Sequence, residues 1–594
     1  MIISLDIETD NLKINTPINF VGVYTINSAG KEVYRSFELP AQVNLLTKFV
    51  EEMKRRGFKF VLHNGKFDSV RLMWSYGIDV PIDHDTMILG YLMSTVDELK
   101  NNQGKWLGLK YMAPRILGVK NWDIDIKKKT SKSKEDVDEY LFYDVKYCYD
   151  LYQYFKTNFP KSKMATYKLI MKAVNAYRNI ELNGLPIDFK ELEKVREEYL
   201  TEKAQIDEQL KPYGDINFNS SKQLQKLLYE DLGLPIKAVT DTGVPSTGVA
   251  VLKELKDEHP IIPVLLKHRE VEKAIAFLDS WKEEAILHPD GHYYLHSNFN
   301  LHGTVTGRTS SSDVNLQQIP RNKRLKSLFK STIPGWEMVC MDYSQLELRF
   351  AGIVAGVQAI KDSYNKGEDL HYKMAATVTG KPIEQISKEE RTQAKAANFG
   401  FLYGMAAKSF VEYAKQTYGV IVTPDESATI RYHFFELYPE LNVYYDWVRT
   451  SLKNDSCITS IMKREYQLNP QVLYNQYERE NIIRAAINFP IQSAGSDYVI
   501  SGLIEVMNDP ELKDCVRLGA TVHDSIIGLV KKDEKFYYNL AKIKSIMEHP
   551  KLAQQMLTTK IDMPIVVDVE IGPLGKGISI EEYMEKELEE AKGF

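Results

Sequence analysis

The stretch Arg391-Thr-Gln-Ala-Lys395-Ala-Ala-Asn-Phe399-Gly-Phe-Leu-Tyr403-Gly404 constrains the chain more than any other. Its alanines favour helix. Ser387 and Glu390, just upstream, have the spacing of a capping box, and Gly404 is a natural stop. Arg391, Lys395, Phe399 and Tyr403 recur every four residues. On a helix of about 3.6 residues per turn they share one slowly rotating stripe, two cations followed by two aromatic rings. Cations suit a polyphosphate and rings suit a base, so the expectation is a helix that holds a nucleotide. An amphipathic helix with solvated cations and core aromatics gives the same pattern, and the neighbouring segments must decide.

At 594 residues the chain exceeds one typical domain. Its 26% charged and 44% hydrophobic residues are ordinary for a globular protein. The formal net charge of -5 neither supports nor excludes a nucleic-acid partner, because the local field outweighs the total. Cys148, Cys340, Cys457 and Cys515 lie far apart, with neither metal spacing nor a disulfide framework, which fits a reducing compartment. No apolar run reaches membrane-spanning length. Met1-Ile-Ile-Ser-Leu-Asp6 lacks the charged start and cleavage site of a signal peptide. The expectation is a cytoplasmic chain with no membrane partner.

The first 150 or so residues alternate strands, at Ile2–Ile7, Phe20–Ile26 and Phe58–His63, with helices at Leu45–Arg55 and Lys134–Phe155, an α/β pattern. Lys127 to Lys134 is a basic loop, solvated or touching a DNA backbone. From Thr157 to about Lys282 helices dominate: Glu191–Leu210, Ser220–Leu232 with serines to cap it, and Ile261–Glu283 after the turn-rich Asp241–Pro245. Beyond Pro289 the pattern is mixed. A strand Met338–Met341 ends at Asp342 and a helix follows over Leu346–Val354. Asp369 to about Asp446 is helical, strands flank His523-Asp524-Ser525, Val566–Ile571 alternates, and an acidic helix starts at Ile580.

Asp6 and Glu8, two apart in a strand, point to one face. Carboxylates held so close repel unless a divalent cation joins them. His63-Asn-Gly-Lys-Phe-Asp68 reads as an apolar strand, a polar turn and an acid, and Tyr140 precedes Asp144 by one helical turn. Four carboxylates and a phenol can hold two cations about 4 Å apart and orient a water for phosphodiester hydrolysis. This ordered set resembles the DEDD exonuclease superfamily in its tyrosine-containing form, over roughly residues 1 to 155, and Asp85-Thr-Met-Ile-Leu-Gly-Tyr91 resembles the segment after its second motif. The resemblance implies that Asp6, Glu8, Asp68 and Asp144 bind metal, that Tyr140 positions the attacking water and that Asn64 contacts the substrate strand.

A second acidic set flanks the cationic helix. Asp342 ends one strand, and Asp524 lies in the bend between two others. If these strands pair, the two acids face each other and, with the phosphates of a nucleotide, make a two-metal site for phosphoryl transfer, with Arg391 and Lys395 neutralising the phosphates. These blocks resemble motifs A, B and C of family A DNA polymerases from about Glu181 to Gly572. Further blocks match in order: Thr306-Gly-Arg308 with Asn315-Leu-Gln317, Asp369-Leu-His371, and Arg484-Ala-Ala-Ile-Asn488-Phe-Pro-Ile-Gln492, whose spacing puts Arg484, Asn488 and Gln492 on one helical face.

By resemblance, Asp342 and Asp524 bind the metals, with Tyr343 beside them as a metal and nucleotide contact. Lys395 is catalytic, and Arg391 and His371 meet the nucleotide. Glu347 is a steric gate against a 2′-hydroxyl. Phe399 implies discrimination against dideoxynucleotides, Tyr403 stacks near the templating base, and Gln345 touches the sugar or nascent pair. Arg308, Asn315, Gln317, Arg484, Asn488, Gln492 and His523 contact DNA. One departure stands out: much of the family has a carboxylate directly after the motif C aspartate, and here it is Ser525. The expectation is that Asp342 and Asp524 suffice, with Ser525 acting through water.

The implied fold is multidomain α/β and α+β, an RNase H-like exonuclease domain followed by a right-hand polymerase. The expected bounds are 1–157 exonuclease, 158–290 connecting helices and thumb (the arm itself from about 186 to 285), 291–370 first part of the palm, 371–483 fingers and 484–594 second part of the palm. The implied function is DNA synthesis from a primer 3′-hydroxyl with 3′→5′ proofreading and two Mg2+ per site, Mn2+ being an alternative. The implied partners are primer-template DNA and deoxynucleoside triphosphates, with a processivity factor, helicase or single-strand-binding protein as candidates, on a monomer. Because the sequence starts directly at the exonuclease strand, the expectation is a chain without a 5′-nuclease domain whose size resembles a phage replicase, in the host cytoplasm if phage-encoded, with a host or organelle source as the alternative. A DNA exonuclease with a polymerase-derived scaffold, a non-catalytic nucleic-acid clamp and a single-subunit RNA polymerase are the alternatives.

Overall fold

The strand expected at Ile2–Ile7 runs from Ile2 to Thr9 (β1) and lies at the centre of a five-stranded sheet in the computed structural model, which describes residues 1–101, 105–122, 133–240 and 242–592. β1 pairs antiparallel with Ile18–Ile26 (β2), which pairs with Glu32–Glu38 (β3). On its other side β1 pairs parallel with Lys59–Leu62 (β4), which carries His84–Asp85 (β5). The order is β3-β2-β1-β4-β5. β3 was not expected: it is an edge strand that buries only Phe37, so it carries little apolar alternation.

Period-two alternation decides which way the β1 acids face. Ile3, Leu5 and Ile7 are buried on one face; Ser4, Asp6 and Glu8 occupy the other. The helix Lys66–Tyr76 (α1) follows β4, and Asp68 lies in its first turn rather than after a loop. Asp85 caps the next helix, Thr86–Met93 (α2), accepting from the Met87 and Ile88 amides. The long helix Lys134–Asn158 (α3), opened by a Ser133–Asp136 capping box, lies across the Asp6 face, where Ser4 Oγ donates to the Val145 carbonyl. Gly22, opposite Asp6 in the register, permits this approach, because a Cβ there would lie 2.6 Å from Leu141 Cγ of α3. Most of the basic loop 127–134 lies outside the described residues, as does Asp241 of the turn-rich break.

The helices Phe189–Leu210 (α4) and Ile261–Glu284 (α5) pack against each other, joined at their rims by Lys203–Glu272 and Arg196–Asp279 ion pairs. The helix expected over 220–232 forms, capped by Ser220, but only Ser221–Gln225 is α-helical and Lys226–Asp231 continues as a π-helix. A Lys226–Asp231 ion pair spans that five-residue step.

A second sheet follows. Its strands are Trp336–Tyr343 (β6), Val516–Val522 (β7), Ser525–Lys531 (β8), Val567–Ile571 (β9) and Ile578–Ser579 (β10), in the order β7-β8-β6-β9-β10, all antiparallel. β6 continues to Tyr343, so Asp342 lies within the strand rather than at its end. The helix Leu346–Val354 (α6) follows as expected. A helical layer then packs Leu370–Thr379 (α7), Lys388–Phe401 (α8) and Ala407–Tyr418 (α9) on one another. The helix Gln476–Asn508 (α10) returns the chain to the sheet and packs on α6.

Candidate functional site

The β1 acids and α3 meet as the spacing requires. Ligand atoms of Asp6, Glu8 and Asp144 lie within 4.8 Å of one another. Asp68, 2% exposed, joins from α1 by accepting the Ile7 amide at 3.1 Å. Two residues that the sequence reading missed complete the cluster. Trp122 Nε1 donates to Asp144 Oδ1 at 2.7 Å. The Lys110 ammonium ion-pairs with the same carboxylate and stands 4.0 Å from the Tyr140 ring centre and 4.7 Å from that of Trp122. A cation already sits among these acids, so the donor set fits a divalent ion. Asn64 adopts φ +58°, and its amide and that of Gly65 donate to Asp85, which anchors the turn beside the cluster.

Burial pushes Asp6 up to about 6, against the pull of Lys110. Burial and the Asp6 charge hold Asp68 well above the usual carboxylate range. A raised folded-state pKa stabilises the fold below the unfolded value and loses that contribution as pH rises through the folded value. In chelator, Asp6→Asn is therefore expected to melt above the parent chain at about pH 8 and to lose that advantage by about pH 4. An equal or lower melting temperature at the higher pH would refute the assignment.

In the second sheet, the residue directly opposite Asp342 is Ser525, not Asp524. Its hydroxyl donates to Asp342 Oδ1 at 2.5 Å, a direct contact where one through water was expected. On the other side Asp342 faces Asp568 of β9, an acid the sequence reading did not single out. Asp524 occupies the turn before β8, after His523 at φ +55°, and its carbonyl accepts the Tyr343 amide at 3.4 Å. Although Asp342 is exposed and Asp524 half-buried, desolvation by the surrounding chain raises the pKa of both; Asp568 adds to the first, Glu347 and Asp342 to the second. Arg308 Nη2 lies 3.6 Å from Glu347 and 3.6 Å from Asp524. These mutually repelling acids around one cation also fit divalent metal.

Glu347 gathers the remaining elements. Tyr403 donates its hydroxyl to Oε1, and Gln492 Nε2 donates to the same atom at 3.1 Å. Tyr403 does so from beyond the cationic helix, which ends at Phe401; the stripe on α8 proper is Arg391, Lys395 and Phe399. Its expected capping box is present, the Ser387 amide donating to Glu390 and the Glu390 amide to Ser387 Oγ. The two cations differ. Arg391 forks onto Asp369 at 3.0 and 2.7 Å, whereas Lys395 has no ion-pair partner among the described residues.

Some expected contacts are arranged otherwise. His371 is 2% exposed, bonded to Asn398 at 2.9 Å and driven by burial to about 4, so it is neutral and packed behind the stripe rather than displayed. The Tyr343 side chain is buried and its hydroxyl donates to the Met547 carbonyl, so only its backbone is available to a ligand. Gln345, at φ +51°, accepts from Tyr364. Asn315 caps a turn through the Gln317 amide, and Gln317 donates to Thr309. Arg484 is exposed, while Asn488 and Gln492 are half-buried on the same face of α10.

The family model for DNA polymerase family A matches residues 188–574, and a 3′-5′ exonuclease model matches residues 2–159. The DNA polymerase of Bacillus phage SP01 is 26% identical over 89% of this chain and 64% of its own length. DNA polymerase I of Bacillus subtilis is 29% identical over 66% of this chain and 44% of its own, so the chain spans less than two thirds of these relatives. DNA polymerase I of Aquifex aeolicus is 29% identical over 82% of both. A solved POL domain of Pol1 from M. smegmatis, in complex with DNA primer-template and dNTP, has the same fold: TM-score 0.79, 96% of this chain and 95% of that one covered, 21% identity.

Proposed function

Since the chain belongs to DNA polymerase family A and its first 159 residues match a 3′-5′ exonuclease, we propose that it extends a primer 3′-hydroxyl with deoxynucleotides on a DNA template and removes mispaired termini by 3′→5′ hydrolysis. The observation that carries this reading is the convergence on Glu347 and Asp524: Arg308, Tyr403 and Gln492 reach Glu347 from three separate segments, Arg308 also reaches Asp524, and the Asp342 strand bonds to Asp524 through the Tyr343 amide. In this reading residues 1–157 are the exonuclease, 158–290 the connecting helices and thumb, 291–370 and 484–594 the palm, and 371–483 the fingers. Among the described residues no helix is long and apolar enough to cross a membrane.

Asp342 and Asp524 would hold two divalent cations, Mg2+ in the first instance, and Asp6, Glu8, Asp68 and Asp144 another pair. Bound cations at such sites lower the pKa of an attacking hydroxyl or water and stabilise the leaving oxygen. The chain's own groups do the rest. Lys395, half-buried and with no ion-pair partner among the described residues, and Arg391, held by Asp369, offset the triphosphate charge. Phe399 packs against sugar and base. Glu347, braced by Tyr403 and Gln492, fills the space a 2′-hydroxyl needs. Ser525 fixes the Asp342 carboxylate. In the exonuclease, Trp122 orients Asp144 and Tyr140 holds a water.

Primer extension on a primed template with Mg2+, run in parallel with deoxynucleotides and ribonucleotides, tests the reading. Extension by deoxynucleotides is expected, and its absence would sink it in favour of an exonuclease on a polymerase-derived scaffold. In the same assay Glu347→Ala is expected to raise ribonucleotide use relative to deoxynucleotide use on the order of a hundredfold. Unchanged discrimination would remove Glu347 as the gate.

A further inference from the structure

Arg308 reaches both Glu347 and Asp524, yet its Nε is buried with no hydrogen-bond partner among the described residues. Its position therefore depends on the loop that carries it, and that loop is held from two sides. From the exonuclease domain, the Tyr91 hydroxyl of α2 donates to the Thr304 carbonyl at 2.8 Å. Within the loop, Thr304 Oγ1 donates to the Arg308 carbonyl at 2.7 Å. From the other side comes a buried ion pair. Arg464 donates to both carboxylate oxygens of Asp497 at 3.1 and 2.6 Å, with the two side chains 3% and 0% exposed. Its remaining nitrogen, Nη1, donates to the Tyr91 hydroxyl at 3.2 Å.

The guanidinium also lies flush against Gly307. This residue has φ +82°, and a Cβ there would sit 2.6 Å from Arg464 Cζ, so both the backbone conformation and the close approach require glycine. A charge pair this deeply buried is costly unless its geometry is tight and its leftover protons are satisfied. Tyr91 satisfies one of them and passes the constraint on to Thr304.

We propose that Tyr91, a residue of the exonuclease domain, is a positioning residue for the polymerase site: with the Arg464–Asp497 pair it clamps the Thr304–Arg308 loop and so aims Arg308 at Glu347 and Asp524. The proposal rests on the polymerase reading above. It makes the polymerase site sensitive to how the exonuclease domain is seated, without using any exonuclease acid.

The test uses the full chain and single-turnover incorporation of a matched deoxynucleotide. Tyr91→Phe keeps the ring and removes only the hydroxyl. The incorporation rate constant is expected to fall about tenfold, while hydrolysis of a single-stranded oligonucleotide stays within about twofold of the parent. In an Arg308→Ala background, Tyr91→Phe is expected to add less than about twofold, because both changes remove the same effect. Incorporation at the parental rate, losses that multiply across the two substitutions, or an exonuclease loss in parallel would each overturn the proposal. A parent chain that extends no primer fails the polymerase reading itself, whereas an active parent with an equally active Tyr91→Phe variant fails the clamp alone.

Discussion

Asp342→Asn is expected to lower primer extension by at least about a thousandfold while single-strand exonuclease activity stays within about twofold. The substitution is nearly isosteric. An asparagine oxygen at position 342 can still accept from Ser525, so the β6–β8 register is kept. What is lost is the formal charge. A hydroxyl cannot supply it, and this chain has Ser525 where much of the family has a second motif C carboxylate. Asp568 on the neighbouring strand is the closest remaining acid in the register. Extension that survives Asp342→Asn would mean that Asp568 and Asp524 suffice, and the assignment of Asp342 would fall.

The reciprocal experiment is Asp144→Asn. It is expected to reduce removal of a mismatched primer terminus by about a thousandfold and to leave extension from a matched terminus unchanged. Asparagine keeps an acceptor for Trp122 Nε1 but not the charge that Lys110 and the β1 acids arrange themselves around. The two acid sets stand on different sheets, one on β1 and α3, the other on β6 and the β7–β8 turn. Joint loss of both activities on a gel that follows terminus removal and extension together would contradict two independent sites.

Local rules carried a large part of this fold into view. Period-two alternation placed Asp6 and Glu8 on one face of β1, and four-residue spacing put Arg391, Lys395 and Phe399 on one face of a capped helix. The same spacing joined Tyr140 to Asp144 and Arg484 to Asn488 and Gln492. Each depends only on the repeat of a single element, which nearby residues dictate. Failures occurred at element ends and at edges. Tyr403 lies past the end of its helix, Asp342 lies inside its strand, and the edge strand β3 buries too little to be seen.

Tertiary structure decided who faces whom. Ser525 meets Asp342 across 183 positions of chain. Asp568 arrives on the other side because β9 pairs with β6, and Lys110 and Trp122 reach Asp144 only once α3 lies over Gly22. Arg464 and Asp497 are ordinary charged residues in the sequence; burial against Tyr91 makes them a clamp. The sequence by itself determined most of the elements away from their ends and the sheet edge, the polar faces of those elements, and the family. The register between distant strands, and the neutral or charged state of each buried acid, came from packing, because those depend on burial and on partners that no local spacing encodes.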